Sequence, residues 1–159
     1  MSDGGSMDRY AKSFTVRWGD CDPNGHVRNT VYDEYGVETR IGYTFEHGFG
    51  FDQFRAHHLG PVVLRMEIDY LKELHVGEKI TVDLAVLGLS PDDVRFKLAH
   101  EILKENGKRA ARIVLLCAWM DLQARRLVPA PPALVRIFRE APRDPAYEDL
   151  PPLGAPRRP

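Results

Sequence analysis

The sequence predicts an α+β domain in which an antiparallel sheet wraps around one long central helix. Three observations carry that prediction: one long helical stretch from Thr30 to about His47, four alternating apolar runs from Val62 to Val128, and short turn signals between those runs. Gly36 and Gly42 lie inside the helical stretch. Each interior glycine costs about 1 kcal/mol relative to alanine, so something must pack closely there. A curled sheet meets that requirement. The length of 159 residues fits a single domain, for which roughly 100–200 residues is usual.

Residues 1–13 read as a flexible N-terminal tail, 14–141 as the folded domain and 142–159 as a proline-rich C-terminal tail, extended or disordered. Phe14 to Trp18 alternates apolar and polar side chains and predicts a strand, closed by Gly19. Thr30 with Asp33 has the form of a capping box, which places the helix start near Asn29 or Thr30. Gly48 closes the helix, at the position where a left-handed cap costs glycine least. The connection Gly48 to Gly60 is aromatic, with a short helical turn near Asp52 to His57.

Val62, Leu64, Met66, Ile68 and Tyr70 then share one face of a strand. Ile80, Val82, Leu84 and Val86 share a face of the next; Val94, Phe96, Leu98 and Ile102 a face of the third. Lys108 to Leu122 is apolar on both faces at its centre and reads as an interior strand, with pairing to another copy as one use of its edge or face. Val76-Gly-Glu, Ser90-Pro-Asp-Asp and Glu105-Asn-Gly-Lys supply the turns, so the strands form an antiparallel meander. Ala133 to Glu140 predicts a short closing helix.

A formal net charge of -1 provides no global attraction to nucleic acid or to an acidic membrane, so neither is expected as a partner. The longest apolar run, Ile113 to Met120, falls far short of the ~20 residues that span a bilayer. Cys21 and Cys117 are the two cysteines and form no CxxC pair, which points to a reducing, cytoplasmic setting.

Between the first strand and the helix lies Trp18-Gly-Asp-Cys-Asp-Pro-Asn-Gly-His-Val-Arg-Asn29. Asp22, Asn24 and His26 fall at alternate positions, and Pro23 and Gly25 keep the backbone out of regular structure. The N–H groups at the helix start are a site for a carboxylate or a developing oxyanion. Each residue also has a plainer use: Asp before Pro-Asn-Gly caps turns, Asn24 forms Asx-turns, and a loop histidine is often merely exposed. Asp20 and Asp22 flank Cys21 and disfavour a thiolate, so Cys21 is not read as a nucleophile. His47, His57 and His58 lack a zinc spacing, and no metal site is expected.

The segment from Gly19 to Asn29, with this element order, resembles the hotdog-fold acyl thioesterases over Phe14 to Glu140. Gly-Asp-Cys-Asp-Pro is similar to the 4-hydroxybenzoyl-CoA thioesterase family, and Asp-x-Asn-x-His-Val-x-Asn to acyl-ACP thioesterases. The resemblance implies a hotdog fold and hydrolysis of an acyl thioester, aliphatic or aromatic, carried by CoA or ACP. No cofactor beyond that substrate is implied.

Asp22 is the implied nucleophile or general base, with Asn24 and His26 in support and the Asn29 backbone amide at the oxyanion. Arg28 stands where those ACP enzymes have asparagine. Glu73 matches an acidic position of theirs, but Leu74 replaces the cysteine that follows it, so its role is left open. A homodimer or homotetramer with the site at a subunit boundary is also implied.

Two alternatives remain. A hotdog hydratase or dehydratase has Asp-x-Asn-Pro-x-His, from which Pro23 and His26 depart; a non-catalytic binder of acyl-CoA or an acyl carrier would hold ligand without releasing thiol. The carrier's phosphates would meet a cation, for which Arg95, Lys97, Arg125 and Arg126 are candidates.

Overall fold

The computed structural model describes residues 9–154. Its strands are β1 (Tyr10–Thr15), β2 (Leu59–Tyr70), β3 (Lys79–Leu89), β4 (Arg95–Lys104), β5 (Arg109–Asp121) and β6 (Arg126–Leu127). The helices are α1 (Tyr32–Glu46), α2 (Phe51–Ala56) and α3 (Pro132–Glu140). The strands form one antiparallel sheet in the order β1-β3-β4-β5-β2, with β6 paired to β5. This is the hotdog architecture, with α1 as the central helix.

The buried face of α1 is Tyr32, Tyr35, Gly36, Thr39, Gly42 and Tyr43, the i, i+3, i+4, i+7 stripe of a helix against a core. Its glycines are where the sheet comes closest. A Cβ on Gly36 would lie 3.1 Å from His100 Cδ2 on β4, and one on Gly42 would overlap the end of Lys12 on β1. At the C-terminus Gly48 adopts φ +90, and the N–H groups of Gly48 and Phe49 reach the carbonyls of Phe45 and Thr44. Those two bonds are a Schellman cap.

The helix start differs from the expected capping box. A 3-10 turn, Asn29–Val31, leads into α1, and neither it nor α1 has a side-chain cap. Asp33 instead accepts from Arg40 Nη1 at 3.0 Å, two turns further along the same helix face, so its carboxylate is engaged in an ion pair and not in a cap with Thr30.

The first strand lies earlier than expected, because pairing with β3 runs from Tyr10↔Leu84 to Thr15↔Lys79. Tyr10 to Ser13 therefore belong to the domain, and Trp18 sits 80% exposed in a 3-10 turn (Trp18–Asp20). Residues 1–8, expected to be a flexible tail, lie outside the described residues.

In β2 a bulge between Val63 and Arg65 breaks the alternation, and Val63 and Leu64 are both exposed. β5 is interior, paired to β4 and β2. It therefore has no edge to offer another copy; the edge strands of the sheet are β1 and β2.

The segment after α3 is not a detached tail. Val86 and Asp144 exchange backbone bonds through Pro142 and Val86 carbonyls, and Glu148 and Leu150 donate to Leu87 and Leu89. Asp144 is buried and accepts from Arg112 at 3.1 Å. Arg95 donates to the carbonyls of Pro151 and Pro152, so it holds this segment in place. Residues 155–159 lie outside the described residues.

Candidate active site

The polar loop is a closed turn built on Asp22. Its N–H donates to the His26 carbonyl at 2.8 Å, and Gly25 N–H to the Asp22 carbonyl at 3.0 Å. The Asp22 side chain completes the turn: Oδ1 accepts from Asn24 N–H at 2.9 Å and His26 N–H at 3.3 Å. Gly25 takes φ +81, a left-handed conformation that glycine adopts without a Cβ penalty. Asp22 is half-buried and Asn24 exposed. The amide hydrogens that reach the Asp22 carboxylate thus come from its own turn; Asn29, at the helix start, is not a donor to it. Among the described residues Asp22 Oδ2 makes no hydrogen bond, whereas Oδ1 makes two.

Two residues secure the turn to the scaffold. Asp20 is 2% exposed and accepts from Tyr35 Oη at 2.8 Å, Arg17 N–H at 2.9 Å and Arg17 Nη2 at 2.9 Å. Burial pushes its carboxyl up, but the bonds from Arg17 and Tyr35 together hold it below the ordinary aspartate range. Arg28 reaches back to the Gly19 carbonyl at 2.7 Å and the Cys21 carbonyl at 3.4 Å. The arginine that departs from the resembled motif is therefore a staple of the loop.

The other side of the turn lies against the stretch between β2 and β3. Val27 N–H donates to the Leu74 carbonyl at 2.8 Å, and His26 and His75 form an antiparallel bridge. These bonds bring His26 Nε2 to 3.3 Å from Glu73 Oε2 and stack the His26 and His75 rings edge to face at 4.8 Å. Glu73, whose role the motif left open, is thus a direct neighbour of His26. Tyr70 donates to the Asn29 carbonyl at 3.0 Å and ties the helix start to the end of β2. His75 was missed in the sequence, because nothing in its spacing links residue 75 to residue 26; the link is the backbone bridge.

A separate apolar cavity of about 170 Å³ lies further along α1, lined by Val37, Ile41, Phe54, Val63, Leu98 and Trp119 among others. None of Asp22, Asn24 and His26 lines it. Phe138 of α3 packs edge-on against Phe96 and Trp119 and forms one wall. Cys117 also borders it; burial raises its thiol to about 12, which leaves it unreactive.

The model of the thioesterase-like superfamily matches residues 16–138. An L-carnitine dehydrogenase/betainyl-CoA thioesterase from Agrobacterium fabrum (strain C58 / ATCC 33970) is 32% identical over 121 residues, 76% of this chain. The chain spans only 24% of that relative's length. Among solved structures, the 1,4-dihydroxy-2-naphthoyl-CoA thioesterase Slr0204 from Synechocystis superposes with a TM-score of 0.75 at 17% identity, over 82% of this chain and 96% of its own. The Staphylococcus aureus protein SAV2348, solved in complex with CoA, also gives 0.75, at 20% identity over 84% and 86%. At those identities the two structures establish the fold.

Proposed function

This chain belongs to the thioesterase-like superfamily, and from that premise we propose that it hydrolyses an acyl-CoA thioester to the free acid and CoA thiol. The observation that carries this reading is the Asp22 carboxylate, pinned through Oδ1 by two amides with Oδ2 left over. Oδ2 attacks the thioester carbon, the C–S bond breaks and a mixed anhydride is then hydrolysed; alternatively it takes the proton of an attacking water. Both routes place negative charge on the thioester oxygen. The Asn29 amide, at the 3-10 turn that opens the helix, and His26 are the donors assigned to it. Asn24 orients the substrate at the exposed rim.

The acyl group is assigned to the cavity beside α1; since none of Asp22, Asn24 and His26 lines it, the assignment requires a second copy to bring cavity and turn together. Val63 lines that cavity and is also exposed on the edge strand β2, so a second copy laid along β2 would cover the cavity mouth. Exposed Leu64, Tyr70 and Leu71 continue the same edge. That arrangement supports a homodimer, or a homotetramer built from such dimers, with sites at the subunit boundary. Cys21 and Cys117 are free, in keeping with a reducing cytoplasm, and no helix among the described residues is long and apolar enough to cross a membrane.

The test is thiol release from aliphatic and aromatic acyl-CoAs and betainyl-CoA, with acyl-ACP in parallel, on the wild type and Asp22→Asn. Asparagine keeps the Oδ1 acceptor and hence the turn. Activity should fall by at least about 100-fold with the melting point unchanged. An Asp22→Asn enzyme as active as wild type, or ligand binding with no thiol released by either, refutes the assignment.

A further inference from the structure

We propose that His26, Glu73 and His75 form a binding site for a divalent transition-metal cation of the zinc type. One ligand atom from each, two imidazole nitrogens and a carboxylate oxygen, lie within 4.8 Å of one another. Glu73 Oε2 is 3.3 Å from His26 Nε2 and 3.8 Å from His75 Nε2. Tetrahedral zinc with bonds of about 2.0–2.2 Å separates its ligand atoms by about 3.3–3.5 Å. Small side-chain rotations therefore convert the observed triangle into three coordination positions, with a fourth open to water.

Two further features distinguish the cluster from a chance meeting of surface side chains. Its two segments are locked by the His26–His75 bridge and the 2.8 Å bond from Val27 N–H to the Leu74 carbonyl. The geometry is thus set by backbone, where a loose surface pair would have to be ordered by the ion. The orientation of His75 is also determined. Its Nδ1 lies 2.8 Å from Glu78 Oε1, and a carboxylate accepts, so Nδ1 carries a proton and Nε2, on the Glu73 side, is the ring atom available to ligate. Glu78 is held in turn by Lys104 Nζ at 3.0 Å. A carboxylate behind a ligating histidine is the outer-shell arrangement that fixes ring and tautomer at metal centres.

Two imidazoles with a single carboxylate suit zinc, cobalt, nickel or copper and not magnesium or calcium, which require mostly oxygen ligands. His47, His57 and His58 take no part. Occupancy would withdraw His26 Nε2 from the thioester oxygen. That consequence rests on the hydrolytic reading; binding itself does not.

The experiment uses the full chain, stripped with chelator and without substrate, titrated with Co²⁺ followed by visible absorption and with Zn²⁺ by calorimetry. One equivalent should bind saturably, with excess Mg²⁺ unable to compete. His75→Ala should lose the site, and Glu78→Gln, which keeps all three ligands, should weaken it about 10–100-fold. Circular dichroism establishes that both variants are folded. Absence of saturable binding by wild type, or equal affinity in folded His75→Ala, overturns the proposal. Because no turnover is measured, this outcome is independent of whether Asp22 catalyses hydrolysis.

Discussion

Tyr35 on α1 donates its hydroxyl to Oδ2 of Asp20, 2.8 Å away, in an interior where neither residue meets much solvent. This bond joins the loop that carries Asp22 to the helix at the centre of the sheet. Tyr35→Phe leaves the ring and removes the donor to a buried carboxylate, a loss of about 1.5–3 kcal/mol. Urea unfolding should show a lower midpoint with an unchanged slope; an unaltered midpoint would mean that Arg17 alone holds Asp20.

The same carboxylate sets an acid limit. Its folded pKa lies below the ordinary value, so its contribution is complete above about 4, the unfolded aspartate value, and disappears as pH falls through the folded value. Asp20→Asn should be less stable than wild type at neutral pH, with the gap narrowing below pH ~4. Stability curves that stay parallel down to pH 2 would contradict this.

His100 acts in a higher window. It is fully buried on the core face of β4, with Nδ1 2.7 Å from the Asp83 carbonyl and Nε2 lacking a hydrogen-bond partner among the described residues. Burial lowers its pKa to about 4. The unfolded chain, with a histidine pKa of about 6.5, binds the extra proton between those values, so stability falls as pH drops from about 6.5 to about 4. At most about 3.5 kcal/mol is at stake, at about 1.4 kcal/mol per pH unit. Chemical denaturation at pH 7 and pH 4.5 should show that loss in wild type and a flatter response in His100→Gln.

The two helix glycines should respond differently to alanine. At Gly36 the new methyl meets His100 Cδ2 at 3.1 Å, and that ring is anchored to β3 through Asp83. Crowding of about 1–3 kcal/mol then exceeds the ~1 kcal/mol gained in helix propensity. At Gly42 the nearest obstacle is the end of Lys12, a flexible chain whose ion pair with Glu46 is partly exposed, with Tyr10 Oη next at 3.2 Å. Losing such a pair costs less than about 1 kcal/mol. Melting should place Gly36→Ala clearly below wild type and Gly42→Ala within a few degrees of it; the reverse order would mean that His100 yields and Lys12 does not.

The open edge of β2 carries an assembly prediction. Light scattering of the purified chain should give twice the monomer mass, and Leu64→Lys, at the bulge, should shift it toward monomer, since an inserted charge blocks edge pairing. If wild type remains monomeric at all concentrations, the site does not extend across two copies.

The sequence by itself determined the central helix, its glycine cap, the turns and the number of long strands, because each follows from spacing within a few residues. The bonds of the turn from Asp22 to His26 are local as well. What lay beyond it required pairing across the chain. The placement of β1 depends on register with β3, the exposed face of β2 on a bulge opposite β5, and the neighbours of His26 on a bridge to His75. Only the tertiary structure decided these, since a contact between distant segments leaves no period in the chain, and an ion pair such as Asp33–Arg40 can replace a local cap once the helix is folded against its sheet.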